Sequence, residues 1–207
     1  HQVERPWLGV KVQALTGEMA TSLGLDAPRG VLVTEVWPGG SGARSGLAQG
    51  DVVVSVNGQE VDDAGALNYR IGTLSPGSAA SLVVRKNGGE PRTLSVVVEP
   101  PPARPPADAL TVTGRNPFAG ATVINLSPAA AITYGVDPFA GRGVMVAKIS
   151  GGLASRWGLR PGDFIRQVNG RQIETTADLA AAIKPSVGTW DLTLERGGRT
   201  ITARFSG

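Results

Sequence analysis

Two stretches of this chain are near-copies of each other. Residues 30–61 read GVLVTEVWPGGSGARSGLAQGDVVVSVNGQEV, and residues 143–173 read GVMVAKISGGLASRWGLRPGDFIRQVNGRQI. The copies run in register from Gly30 and Gly143, slip by one residue in a glycine-rich loop, and resume at Gly46 and Gly158. Each continues as Gly-Leu-x-x-Gly-Asp, an apolar strand, and Val-Asn-Gly. A repeat this long means two copies of one folded module, so the function is one that a pair of like modules performs. The 207 residues fit two domains of about 100 residues each.

Local patterns divide each copy into short elements. Trp7 to Gln13 alternates apolar and polar after Gly9 and predicts a strand. Thr16 to Leu23 predicts a short helix capped by Thr16 and stopped at Gly24. Strands are predicted over 30–36, 51–56, 80–85 and 93–98, and a helical turn over 41–45. Asn57-Gly58 predicts a tight hairpin, because both central turn residues need positive φ. Asp62 or Asp63 caps a helix that runs to Ile71, with Leu67 and Ile71 one turn apart. The second copy repeats the order: strands over 121–126, 143–149 and 163–168, a helical turn over 127–134, a turn at Asn169-Gly170, a helix over 175–183 stopped by Pro185, and a hairpin from Trp190 to Phe205. Each half is therefore five or six short strands with about two short helices, an α+β, mainly β, partly open barrel.

Between the copies, five of the seven residues from Pro100 to Pro106 are proline. Such a run neither donates to a sheet nor continues a helix, and it predicts a polyproline II spacer of roughly 20 Å at ~3.1 Å per residue. The expected division is a first domain over 1–99, a linker over 100–114 and a second domain over 115–207.

Composition excludes several function classes. The 20 basic residues are scattered and the formal net charge is only +3, so no basic patch with interleaved aromatics marks a nucleic-acid interface. The chain has no cysteine and one histidine, His1, and it lacks an Asp-rich calcium loop, so neither a metal site nor a cofactor is expected. No apolar run of about 18 residues marks a membrane span. Gly40-Ser41-Gly42 has the look of a nucleophile loop, but an activated serine needs a base, and in the second copy the serine has moved to Ser150. No catalytic residue is assigned. Asp51 and Asp163 recur at one position and predict a turn-stabilising carboxylate before a strand.

The order of strand, small-residue loop, Gly46-Leu47-Ala48-Gln49-Gly50-Asp51, apolar strand, Val56-Asn57-Gly58, helix and hairpin resembles a PDZ domain. Gly158 to Asp163 with Val168-Asn169-Gly170 carries the same resemblance in the second copy. The order of segments resembles the permuted PDZ domains of bacteria, and two in tandem resemble the C-terminal half of the HtrA (Do-like) periplasmic serine proteases. The resemblance implies a peptide-binding function: an extended segment adds a strand to a sheet edge facing a helix, and a loop of free N–H groups takes its terminal carboxylate.

In the first module the family's loop matches Trp7-Leu8-Gly9-Val10. Leu8 and Val10 then line the pocket for the last apolar side chain, Val12 continues the edge, and Asn68 and Ile71 face the groove from the helix. Ordinary core packing is the competing reading of Leu67 and Ile71. In the second module the loop matches Phe118-Ala119-Gly120-Ala121, with Val123, Ala180 and Ile183 completing the groove. Its alanines stand where the first copy has Leu8 and Val10. Smaller walls make either a deeper pocket for a larger anchor or a weaker groove whose module serves assembly, and the second of these is the expectation. Arg5 and Arg115, just before the loops, are carboxylate-binding candidates, with a solvated surface cation as the alternative.

The resemblance further implies a protease domain upstream, with this segment capturing C-termini or unfolded envelope proteins in a periplasmic homo-oligomer. Two other readings compete: an assembly scaffold whose grooves bind partner subunits, and a PDZ pair of a membrane metalloprotease.

Overall fold

A computed structural model describes residues 5–185 and 187–206; His1 lies outside them. The chain divides into two compact units, His1–Pro101 and Pro102–Gly207.

In the first unit the strands are β1 (Val10–Ala14), β2 (Val31–Val36), β3 (Val52–Val56), β4 (Gln59–Glu60), β5 (Ala79–Arg85) and β6 (Pro91–Val97). They form one sheet in the order β1-β2-β3-β5-β6, with β4 paired to β3. The helices are α1 (Gly17–Ser22), α2 (Ser41–Arg44) and α3 (Ala64–Gly72). Thr16 caps α1 by accepting from the Met19 N–H at 3.1 Å, and Asp63 caps α3 by accepting from the Ala66 N–H at 2.6 Å. Asn57 and Gly58 sit at φ 48° and 80°, the left-handed pair that closes the β3–β4 hairpin.

The second unit holds β7 (Leu110–Thr111), β8 (Ala121–Asn125), α4 (Pro128–Thr133), β9 (Val144–Ile149), α5 (Gly152–Arg156), β10 (Phe164–Val168), β11 (Arg171–Gln172), α6 (Thr176–Ile183), β12 (Thr189–Arg196) and β13 (Arg199–Ser206). Its sheet runs β13-β12-β10-β9-β8-β7, with β11 on β10. Asn169 and Gly170 repeat the turn at φ 49° and 79°. Even the irregularities recur: the β1–β2 register shifts between Lys11 and Val12, and the β8–β9 register between Thr122 and Val123. A bulge bends and twists the strand that carries it, so both copies curve at the same place.

Each sheet curls around its own apolar core. In the first unit Val31, Val53, Leu67, Ile71, Leu82 and Val84 are almost wholly buried; in the second, Phe118, Val123, Ile165, Leu179, Trp190 and Leu194 play that part. Leu67 and Ile71 are the buried residues of α3, so a two-residue stripe holds this helix to the sheet. Burial of each side chain stabilises by about 1.5–3 kcal/mol. The fold is thus α+β and mainly β, with two partly open barrels. It differs from the sequence reading in detail: the second unit has a further helix, α5, and β7 is a strand that no pattern announced.

That strand belongs to the connection between the copies. The Pro102 carbonyl accepts from the Ala129 N–H at 3.0 Å, and the Ala107 carbonyl from the Asn125 N–H at 2.8 Å. Asn125 Nδ2 also donates to the Pro106 carbonyl at 3.1 Å. The segment from Pro102 onward is thereby bound along the second unit.

Candidate functional site

Among the described residues β1 hydrogen-bonds to β2 alone and ends its sheet, and α3 lies beside it. The cleft between an unpaired edge and a helix offers a row of backbone donors and acceptors to an extended chain.

The loop entering β1 is oriented by its carbonyls. The Leu8 carbonyl accepts from the Gly42 N–H of α2, and the Gly9 carbonyl from the Trp37 N–H after β2, both at 2.8 Å. In a planar trans peptide the following N–H points opposite to the carbonyl, so the Gly9 and Val10 amides face away from α2 and β2. Among the described residues the N–H groups of Leu8 and Gly9 have no protein acceptor. Gly9 makes this turn possible at φ 74°, a region that costs a residue with a Cβ about 1–2 kcal/mol. The result is a nest of donors suited to a carboxylate.

The predicted side chains gather here unevenly. Leu8 is buried, and half-buried Val10 and Val12 pack on the core that contains Ile71. Ile71 is only 2% exposed, so it is a core residue beneath the cleft. Asn68 is exposed on α3. The Arg5 side chain runs past Gly72, its Cδ about 4.0 Å from where a Cβ on that residue would lie, which places it by the C-terminal end of α3. Trp7 packs at a tilt on Trp37, with ring centroids 6.0 Å apart. The sequence reading missed Gly42 and Leu74: the first anchors the loop, and the second packs on the core beside Val10 and Val12.

The second copy builds the same loop. The Ala119 carbonyl accepts from Ala154 of α5 at 3.0 Å, and the Gly120 carbonyl from Ser150 at 2.7 Å. Its outward donors, however, are used. Phe118 N–H reaches Asn116 Oδ1 at 3.0 Å. Gly120 N–H reaches the Val112 carbonyl at 2.9 Å, Ala121 N–H reaches the Phe118 carbonyl at 3.0 Å, and Val112 N–H reaches the Ala121 carbonyl at 2.8 Å. β7 then continues antiparallel along β8, with Leu110 opposite Val123 and Thr111 opposite Thr122. Phe118, Ala121 and Val123 are fully buried, Ala119 nearly so, and Ala180 and Ile183 half-buried. Exposed Arg115 lines a cavity of about 560 Å³ with Leu153, Arg156, Trp157, Trp190 and Phe205.

Charges brace the framework around both clefts. Asp51 accepts from the Ala48 N–H at 2.9 Å and from Lys86 Nζ at 2.6 Å. Asp163 accepts from the Arg160 N–H at 2.8 Å and takes Arg196 in a fork, two bonds of 2.7 Å. That fork holds the Arg196 guanidinium above its ordinary value. At the start of α6, Asp178 Oδ2 accepts from the Glu174 and Thr175 N–H groups at 3.0 and 3.1 Å, which holds its carboxyl below the usual range. Among the described residues no group of three or more His, Asp or Glu could hold a metal ion, and no helix is long and apolar enough to cross a membrane.

Residues 6–98 match one PDZ domain model and residues 146–189 a second. A protein of Marinomonas sp. named as a probable periplasmic serine endoprotease, DegP-like, is 33% identical over 88% of this chain and 38% of its own length. Its namesake in Pseudomonas putida is 34% identical over 99% of this chain and 43% of its own length. The chain thus spans about two fifths of these relatives. Among solved structures, the HtrA-type protease AlgW with a decapeptide is 40% identical over 47% of this chain and 30% of its own, with a TM-score of 0.43. This chain therefore belongs to the PDZ domain family, as a tandem pair similar to the matching part of proteins named as DegP-like periplasmic serine endoproteases.

Proposed function

We propose that this chain is the substrate-capturing segment of an HtrA-like serine endopeptidase of the bacterial periplasm. Its first module binds C-terminal or extended apolar segments of unfolded envelope proteins. The bound segment adds to β1, its carboxylate meets the amides beside Gly9, and its last side chain lies against Leu8 and Val10, with Val12 and Asn68 along the cleft and Ile71 beneath it. Trp7 braces the loop from behind, and Arg5 adds a positive charge at the carboxylate end. The modules are 1–99 and 115–207, joined through 100–114. The protease domain, which supplies the catalytic residues, is a partner in the assembled homo-oligomer.

The observation that carries this reading is the pair of outward amides at Gly9 and Val10 beside an unpaired β1 edge. The kinship to proteins named as serine endoproteases favours this parent over a metalloprotease. The test is a titration of labelled peptides ending in an apolar residue, as free acids and as C-terminal amides, against the wild type and Leu8→Lys. The free acid binds the wild type at least tenfold better than the amide. Equal affinity in all four combinations overturns the assignment.

A further inference from the structure

We propose that the second groove carries its own ligand: residues Asp108–Val112 occupy the β8–α6 cleft in the pose of a bound peptide, and a foreign peptide enters only by displacing them. This rests on reading the cleft of each module as a peptide groove.

Four observations converge on it. The first is polarity. The segment runs antiparallel to β8 and ends with Val112 at the loop, its carbonyl on the Gly120 amide. That is where the terminal carboxylate of a captured chain would sit by analogy with Gly9. The second is the pocket. Val112, whose amide donates to the Ala121 carbonyl, is 2% exposed and joins the core cluster that contains Phe118, Ala121 and Val123. The alanines that shrink the pocket walls relative to Leu8 and Val10 make room for a side chain the chain itself supplies.

The third is the far end of the cleft. Thr176 Oγ1, at the start of α6, donates to the Asp108 carbonyl at 2.8 Å. Asn125 Oδ1 accepts from the Thr176 N–H at 2.9 Å while its own amides hold the Pro106 and Ala107 carbonyls. The fourth is the contrast between copies. By the aligned loops and helix caps, Asn125 corresponds to Ala14 and Thr176 to Ala64. Alanine can make none of these side-chain bonds, so the polar pair appears only in the copy that has a segment to hold.

A ligand tethered by the short loop 113–117 acts at an effective concentration of mM or more. A foreign peptide of equal intrinsic affinity therefore binds weakly, reduced by the fraction of time the groove stands open. Displacement would also release residues 102–112, chain that extends up to ~35 Å, and so couples capture in this groove to slack in the connection between the modules.

The experiment uses the full chain and the labelled free-acid peptide Ala-Asp-Ala-Leu-Thr-Val, the sequence of residues 107–112. In the wild type the Gly120 and Val112 amides are protected from hydrogen exchange, and the peptide does not shift the NMR signals of Gly120 or Ala180. In Asn125→Ala/Thr176→Ala, which installs the first module's residues, protection at Val112 falls at least tenfold and the peptide shifts those signals. Adding Thr111→Cys and Thr122→Cys, whose hydroxyls stand 3.3 Å apart, locks the segment on oxidation and abolishes the response; reduction restores it. Unprotected Val112 and Gly120 amides in the wild type overturn self-occupancy while leaving the groove reading intact. A loosened variant that keeps its Trp190 environment and Val112 exchange at the open rate, yet binds no peptide, overturns the groove reading for this module.

Discussion

The amide of Gly120 donates to the carbonyl of Val112 at 2.9 Å, whereas Gly9, its counterpart in the first copy, has no protein acceptor for its amide among the described residues. The two loops share their carbonyl anchors and the left-handed glycine, φ 74° at Gly9 and 96° at Gly120. What separates them is the chain that lies in front of one and not the other.

The two glycines therefore respond differently to one added methyl. A Cβ on Gly9 meets nothing closer than 3.6 Å, while a Cβ on Gly120 falls 2.0 Å from the Gly151 carbonyl oxygen. Gly9→Ala is expected to cost about 1–2 kcal/mol of backbone strain, read as a modest loss of stability and a five- to thirtyfold loss of peptide affinity in the first groove. Gly120→Ala forces the loop off Gly151 and is expected to cost about 3 kcal/mol or more in the second unit. Chemical denaturation followed by tryptophan fluorescence separates the outcomes, and equal costs would contradict the loop geometry.

Removing the carboxylates at Asp51 and Asp163 tests the charge braces. Each carboxylate is almost fully buried, while Lys86 and Arg196 are each about 30% exposed. Asp51→Ala or Asp163→Ala strips a turn amide of its acceptor and leaves the cation only a backbone carbonyl, of Gly46 for Lys86 and of Gly158 for Arg196, and each is expected to destabilise its own unit by about 2–3 kcal/mol. Lys86→Ala leaves the Asp51 turn bond in place and costs less than Asp51→Ala. Guanidinium midpoints for the three variants check the order.

The framework was legible because local chemistry dictates it. Asn57-Gly58 and Asn169-Gly170 take up positive φ in both copies, and Thr16 and Asp63 cap helices as their positions predict. β7 was not legible: two residues after a proline run carry no period, and the strand exists only through pairing with β8. The same non-local cause hid Lys86 and Arg196 as partners of Asp51 and Asp163, although both cations stand just before the final hairpin turn of their module. One signal could have exposed the self-strand: the exchange of Ala14 and Ala64 for Asn125 and Thr176, polar residues that the second unit buries.

Acid weakens the start of α6. Donor N–H groups of Glu174 and Thr175 depress the Asp178 pKa below its ordinary value of 3.8. A depressed folded pKa contributes stability that is present above the unfolded value and is lost as pH falls through the folded one. The contribution is therefore constant from neutral pH down to about pH 4 and disappears below it. Asp178→Asn should remove this pH dependence, which an NMR titration of the Thr175 and Glu174 amides would report.

The packing between Val112 and Ala121 admits a double-mutant cycle. The Val112 amide donates to the Ala121 carbonyl, and both residues are buried in one core cluster. Ala121→Val adds volume to a filled pocket and is expected to cost about 1–3 kcal/mol. Val112→Ala removes two buried carbons and leaves a cavity, costing ~2 kcal/mol. In the double variant the added methyls enter the space that Val112 vacated, so the total cost falls at least 0.5 kcal/mol below the sum of the singles. Denaturation midpoints at constant m-value measure each corner. Strict additivity would mean that Val112 does not fill the pocket lined by Ala121, and that the alanines of the second loop need another explanation.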